Sequence, residues 1–286
     1  MQTVKHLSWL RESVERLRGR GELALVPTMG ALHEGHLTLV RRARELAPSV
    51  AVSIFVNPRQ FGPGEDLAAY PRQLERDSEL LAAEGVDLLW APPVTEVYPE
   101  GFATAISVGG VSEGLCGASR PGHFDGVATV VAKLFNQVQP DLALFGEKDW
   151  QQLAVIRRMA RDLDFTLPHA DRIIGVPTVR EADGLAMSSR NAYLSPDERS
   201  SAAALPLEMR AAIERIVAGE PVDDALAELE ATLLEAGFAS VDYATLADAV
   251  SLEPLAATIP EPMRLLVAAR IGKTRLIDNM AVEAQT

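Results

Sequence analysis

The sequence predicts an α/β protein, a parallel sheet with helices on both faces, followed by a smaller C-terminal α+β domain. Three observations predict it. Short apolar runs alternate with helical patterns through the first ~180 residues. Polar, glycine-bearing segments follow several of those runs directly, as strand-to-helix loops do in such sheets. From Ser195 the order changes to two helices and then two long apolar runs around a turn at Gly272–Lys273. The expected division is residues 1–189 and 190–286.

Each element has its own signature. Residues 1–21, MQTVKHLSWLRESVERLRGRG, read as an amphipathic helix closed by Gly19 and Gly21. LALVP (23–27), VAVSIFV (50–56), VDLLWAP (86–92), DLALFG (141–146) and RIIGVPTV (172–179) are short apolar runs and read as strands. Residues 36–47, 70–85, 124–138 and 149–163 carry the helical pattern between and after them. Residues 195–219 begin with Ser195 as N-cap, Pro196 in the first turn and early acids, a strong helix start. Residues 222–238 read as a further helix, and 241–248 and 264–280 as strands. There are no internal repeats.

Composition narrows the function. With 48% hydrophobic and 23% charged residues, the chain reads as a soluble globular protein. No apolar run approaches the ~18–20 residues of a membrane span. The N-terminus has no signal-peptide core, and the single cysteine, Cys116, excludes an internal disulfide; both point to the reducing cytoplasm. Of the net charge of −13, residues 191–286 carry most, with 16 acidic and 7 basic side chains. That surface would repel a nucleic acid. The nearly balanced first part can still hold a small anion through local cations.

In a parallel sheet of this kind ligands bind beyond the carboxyl ends of the strands, and four segments stand there. PTMGALHEGH (27–36) joins the first strand to a helix start, where unpaired N–H groups and the dipole favour phosphate. Gly30 and Gly35 would allow close backbone approach, and His33 and His36 could donate to the same phosphates. Taken alone, an H-x-x-H pair reads more readily as a polar helix cap with two solvated histidines. A zinc pair finds no further Cys or His cluster nearby. FVNPRQF (55–61) offers Asn57 and Gln60, neutral groups suited to hydroxyls or a carboxylate, or simply to a capped turn. FGEKDWQQL (145–153) places Lys148 towards phosphate oxygens, with Asp149 to orient it and Gln152 one turn into the helix. MSSRN (187–191) supplies two hydroxyls and the Arg190 guanidinium.

These segments, with RPGHFDGVATVV (120–131) and LIDNM (276–280), occur in the order and spacing of the pantothenate synthetase family. The chain resembles that family over essentially its whole length. The family belongs to the nucleotidyltransferase superfamily, whose mark is H-x-G-H. The resemblance implies a Rossmann-like nucleotide-binding domain that condenses pantoate with β-alanine, using ATP and Mg2+, to pantothenate, AMP and pyrophosphate. It implies a homodimer. Met29, Gly30, Ala31, Leu32, His33, Glu34, Gly35 and His36 would line the ATP site, with His36 the principal catalytic histidine and His33 assisting. Gly146, Glu147, Lys148, Asp149, Val179, Met187, Ser188, Ser189 and Arg190 would complete it. Lys148 and Arg190 would share the catalytic work. Gln60 would touch both pantoate and β-alanine, and Gln152 would be a second pantoate contact. Asp77 matches a position linked to magnesium, although Arg76 stands where some relatives have a second acid.

The residues leave rival readings to weigh. An adenylyltransferase that stops after nucleotide transfer would share the histidine pair but would not need Gln60 and Gln152 to hold an organic acid. An aminoacyl-tRNA synthetase would need an RNA-binding surface, which the acidic C-terminal part opposes. A nucleotide-sensing module without catalysis would form no AMP at all. Arg120 and His123 receive no role from the sequence, and Cys116 reads as a buried bystander.

Overall fold

The structure, a computed structural model, describes residues 1–283. Strands β1 (Gln2–Val4), β2 (Leu23–Thr28), β3 (Ser49–Ile54), β4 (Leu88–Trp90), β5 (Leu142–Gly146) and β6 (Ile173–Val176) form one sheet in the order β1-β4-β3-β2-β5-β6. All five pairings are parallel. Strands β7 (Ser240–Asp248), β8 (Met263–Ile271) and β9 (Thr274–Val282) form a separate antiparallel sheet. This is the α/β protein with a smaller α+β part that the sequence predicts.

The chain packs as two compact units. The first comprises residues 1–112, 120–147 and 152–177, and the second residues 113–119, 148–151 and 178–286. In the first unit, side chains alternate across the sheet. Ala24, Val26, Val50, Val52, Leu89, Leu142 and Leu144 share a core with Leu39, Val40 and Ala43 of α2 (Glu34–Leu46) and Leu81 of α3 (Leu74–Ala83). The alternate positions, Leu23, Leu25, Ala51, Leu88 and Trp90, are equally buried. The Trp90 indole N–H, on this second set, donates to Gln137 of α6 (His123–Val138) at 3.2 Å. Helix α6, which follows the one-turn helices α4 (Val94–Val97) and α5 (Cys116–Ser119) in the chain, also packs against α1 (Leu7–Arg18) and β2. Burial on both faces is why the strands read as unbroken apolar runs. Each fully buried Leu or Val contributes about 1.5–3 kcal/mol, which fixes the register.

The sheet order reverses at β2: β3 and β4 lie on one side of it, β5 and β6 on the other. The loops leaving β2 and β5 therefore start from the switch point, where such sheets bind ligands.

Four expectations need correction. Residues 2–4 are a strand, not helix; they pair with Leu88–Trp90 at the sheet edge, and only Val4 is buried. Helix α3 starts at Leu74 rather than at residue 70, because Pro71 disfavours a helical Tyr70. The last strand of the sheet stops at Val176, before Pro177. The single helix expected over 195–219 is two, α8 (Pro196–Ala202) and α9 (Ala204–Val217). Pro206 has no N–H to return to the carbonyl of Ala202, so the ladder breaks there. In the second unit α9, α10 (Val222–Glu235) and the β7–β9 sheet enclose a core that includes Met209, Leu229, Leu265 and Leu276.

Candidate active site

The loop after β2 is held by one buried carboxylate. Asp77, 1% exposed on the first turn of α3, accepts from the Ala31 N–H through Oδ2 and from the Leu32 N–H through Oδ1, both at 2.9 Å. Thr28 adds a third tie: its hydroxyl donates to the Ser53 carbonyl at 2.8 Å and accepts from the Gly30 N–H at 3.3 Å. Gly30 has φ +85, and a Cβ there would lie 3.0 Å from Asp77 Oδ2 and 3.1 Å from an Ile54 methyl. Ala31 follows at φ 51, an unfavourable left-handed conformation for a residue with a Cβ. The two Asp77 bonds to this turn offset that strain.

The loop delivers the two histidines. His33 is the N-cap of α2, and its Nδ1 accepts from the Gly35 N–H at 3.2 Å. His36 reaches back, its Nδ1 accepting from the His33 N–H at 3.3 Å. This is a capping box built from imidazoles, with ring centroids 4.1 Å apart. A nitrogen that accepts carries no proton, so each neutral ring bears its proton on Nε2. Both rings are thereby set as Nε2–H donors at a helix N-terminus.

Gln60 is 9% exposed, at the end of the one-turn 3-10 helix Pro58–Gln60 after β3. Its Oε1 accepts from Asn57 Nδ2 at 3.0 Å, and its Nε2 donates to the Met29 sulfur at 3.0 Å. These bonds use one of two acceptor sites and one of two donors of the amide. Asn57 is itself fixed: Nδ2 also donates to the Gly126 carbonyl at 3.0 Å, and Oδ1 accepts from the Tyr98 hydroxyl at 2.9 Å. Burial pushes the Tyr98 phenol up to about 12 against the opposing charge of Arg59, so it stays a donor. Gln60 and the Met29–His36 loop are thus directly joined. Gly146 ends β5, also in this unit, Glu147 opens the 3-10 turn that follows, and its carboxylate lies where a Cβ on Gly175 would approach within 2.9 Å. Gln152 is half-buried near the start of α7 (Trp150–Asp162).

The second unit carries Lys148, Asp149, Val179 and Met187–Arg190. The Lys148 ammonium is 3.8 Å from the Asp149 carboxylate, and its backbone carbonyl accepts from Asn279 Nδ2 at 2.8 Å. Asn279, on β9, is 3% exposed. Val179 and Met187 face each other across a hairpin through the Met187 N–H to Val179 carbonyl bond of 3.0 Å. Ser188 caps the following turn by accepting from the Arg190 N–H at 3.3 Å. Asn191 anchors that turn to Glu181 at 3.0 Å, and Arg199 pairs with both Glu181 and Asp183. The Arg199 bonds hold both carboxyls below their ordinary range. Cys116 is buried here, its sulfur 3.1 Å from the Tyr243 hydroxyl and 3.4 Å from the Arg275 guanidinium.

Sequence reasoning missed what Asp77 and Asn279 do. Asp77 showed only as an acid on a helix, and its two amide partners lie 46 and 45 residues away in the chain. The LIDNM segment was visible as a motif, but nothing in it named Lys148 as the partner of Asn279.

The sequence model of the pantoate-β-alanine ligase family matches residues 2–281. The chain is 66% identical over 286 residues to the pantothenate synthetase of Novosphingobium aromaticivorans, covering all of both chains. It is 55% identical over 285 residues to that of Caulobacter vibrioides, covering 98% of each. Among solved structures it is similar to a pantothenate synthetase from Thermus thermophilus, with a TM-score of 0.91, 51% identity, and 99% of this chain and 100% of that one covered. It is also similar to a pantoate-β-alanine ligase from Francisella tularensis complexed with beta-gamma ATP and β-alanine. There the TM-score is 0.82 and the identity 33%, with 100% of this chain and 99% of that one covered.

Proposed function

The chain belongs to the pantoate-β-alanine ligase family, and we propose that it joins pantoate to β-alanine at the expense of ATP. The reaction runs through a pantoyl adenylate and releases AMP and pyrophosphate. The observation that carries this reading is the imidazole capping box, with Nε2–H donors set at the switch-point helix. A pantoate carboxylate oxygen attacks the α-phosphorus and pyrophosphate leaves. The nucleophile is already ionised at neutral pH, so no protein base is required. Catalysis then rests on positioning and on meeting charge on the phosphates. His36, His33, Lys148, Ser188, Ser189 and Arg190 supply that charge and those donors. In the second step the neutral amine of β-alanine attacks the acyl carbon, the acyl–oxygen bond breaks, and AMP departs with that oxygen. Gln60 and Gln152 hold the organic acid, and Val179 and Met187 line the nucleotide.

We assign Asp77 to the loop rather than to magnesium: each of its oxygens accepts from a loop amide, and Arg76 precedes it in the chain. Among the described residues no group of three or more His, Cys, Asp or Glu is placed to hold a metal ion. Mg2+ would come with the nucleotide's phosphates, its usual partners. We further propose that the chain works as a homodimer in the cytoplasm. The lone cysteine and the family resemblance support this, and no helix among the described residues is long and apolar enough to cross a membrane.

The test is AMP formation from ATP with each acid and amine omitted in turn. AMP made continuously only with both pantoate and β-alanine present supports the ligase. Continuous pyrophosphate release without the amine, with AMP bonded to the acid and none set free, would favour a plain adenylyl transfer.

A further inference from the structure

The segment RPGHFDG has no role in the reaction described above, yet three of its residues converge on the backbone of Gln60, on the peptide groups at its two sides. Gly126 lies so close to the Pro58–Gln60 turn that a Cβ on it would stand 2.2 Å from the Arg59 carbonyl oxygen and 2.7 Å from the Gln60 nitrogen. That contact seats the first turn of α6 directly on the backbone of Gln60. His123, the first residue of α6, points Nδ1 at the Gln60 carbonyl oxygen at 2.8 Å. A carbonyl only accepts, so Nδ1 carries the proton and Nε2 is the acceptor. Arg120 Nη1 supplies the matching donor to Nε2 at 3.0 Å, and Arg120 Nη2 donates to the same Gln60 carbonyl at 3.3 Å. The guanidinium is locked in turn by Glu65, with bonds of 2.8 Å from Nε and 2.7 Å from Nη2.

We propose that Arg120 and His123 are positioning residues for the organic acid, acting through Gln60. This rests on the reading of Gln60 as a substrate contact. The clamp fixes the carbonyl side of the Gln60 peptide, while Asn57 fixes its side chain. With both ends tied, the Gln60 amide cannot swing, and the two hydrogen-bonding positions it retains keep one direction. Glu65 ties the stretch after the turn to the same guanidinium, so loop and helix hold Gln60 together. Such a device acts on pantoate, and the nucleotide has no part in it.

The experiment compares His123→Phe, which keeps a ring but no donor, with His123→Asn, whose side-chain amide can replace Nδ1–H. His123→Phe is expected to lower kcat/KM for pantoate about 10–100-fold, the scale of a misplacement near 1 Å. Its KM for ATP should stay within about threefold. His123→Asn should recover most of the loss. Equal damage in the Asn and Phe variants, or parallel rises in both KM values, would overturn the clamp. Should the Phe variant fold poorly, nitrogen NMR of the histidine-labelled wild-type enzyme decides: Nδ1 protonated supports the proposal, and Nε2 protonated with bare Nδ1 overturns it. A wild-type enzyme that turns over without pantoate would instead sink the functional reading, and the tautomer would still judge the clamp.

Discussion

His33 and His36 each commit one ring nitrogen to the backbone, which is what makes them useful at the other. A solvated histidine would leave its tautomer to chance; here the cap sets it. His36→Ala and Lys148→Ala should each lower turnover roughly 10²–10³-fold, as loss of a preorganised donor does. Circular dichroism should show an unchanged fold, and near-normal turnover in either variant would remove that residue from the mechanism. Glu65 gives a pH test of a different kind. Burial alone would raise its carboxyl, but Arg120 outweighs burial and holds it at about 2 rather than 4.5. A depressed carboxyl stabilises the fold above its unfolded value, and that stability is lost as pH falls towards about 2. The stability gap between wild type and Glu65→Gln should therefore be constant above pH ~5 and close progressively below it. Urea unfolding at several pH values reads this directly, and a gap that widens in acid would contradict it. At this scale what was legible is local pattern: the histidine pair at a helix start and the Asn57–Gln60 turn, which the structure forms as a cap and a hydrogen-bonded turn. Asp77 was illegible because its meaning lies in the amides it meets, and a sequence does not print backbone N–H directions.

At the scale of elements, α3 serves the loop after β2 as much as it serves the sheet. Leu81 packs it into the core, and Asp77, four residues earlier and on the same face, fixes the turn before α2. Asp77→Asn would replace one acceptor by a donor facing a backbone N–H. The expected cost is about 1–3 kcal/mol, the penalty of one unsatisfied buried group, together with a raised KM for ATP. Denaturation and initial rates measure the two. A stable variant with unchanged ATP kinetics would show that the loop holds itself. The parallel strands were legible because burial on both faces gives them unbroken apolar runs. Strand β1 was not, since three residues with one buried side chain carry no period. The break between α8 and α9 was hidden for the opposite reason: the helical signal around it is strong, and a single proline decides.

For the whole molecule, sequence order and spatial grouping part company. Residues 113–119 and 148–151 belong to the second unit although their neighbours in the chain belong to the first. No shift in composition marks those exchanges, so the sequence alone suggests a single cut. The charge pattern is readable at this scale, with the excess of acid in residues 191–286 and the cations Lys148 and Arg190 before them. In the proposed reaction these groups serve attack on the α-phosphorus by a carboxylate. Pantoate labelled with heavy oxygen in its carboxylate reports which bonds are made and broken. One label should appear in AMP and none in pyrophosphate, and pyrophosphate should exchange into ATP when pantoate is present without β-alanine. Label in inorganic phosphate, with ADP as the co-product, would contradict both the adenylate and the role given to the histidine pair.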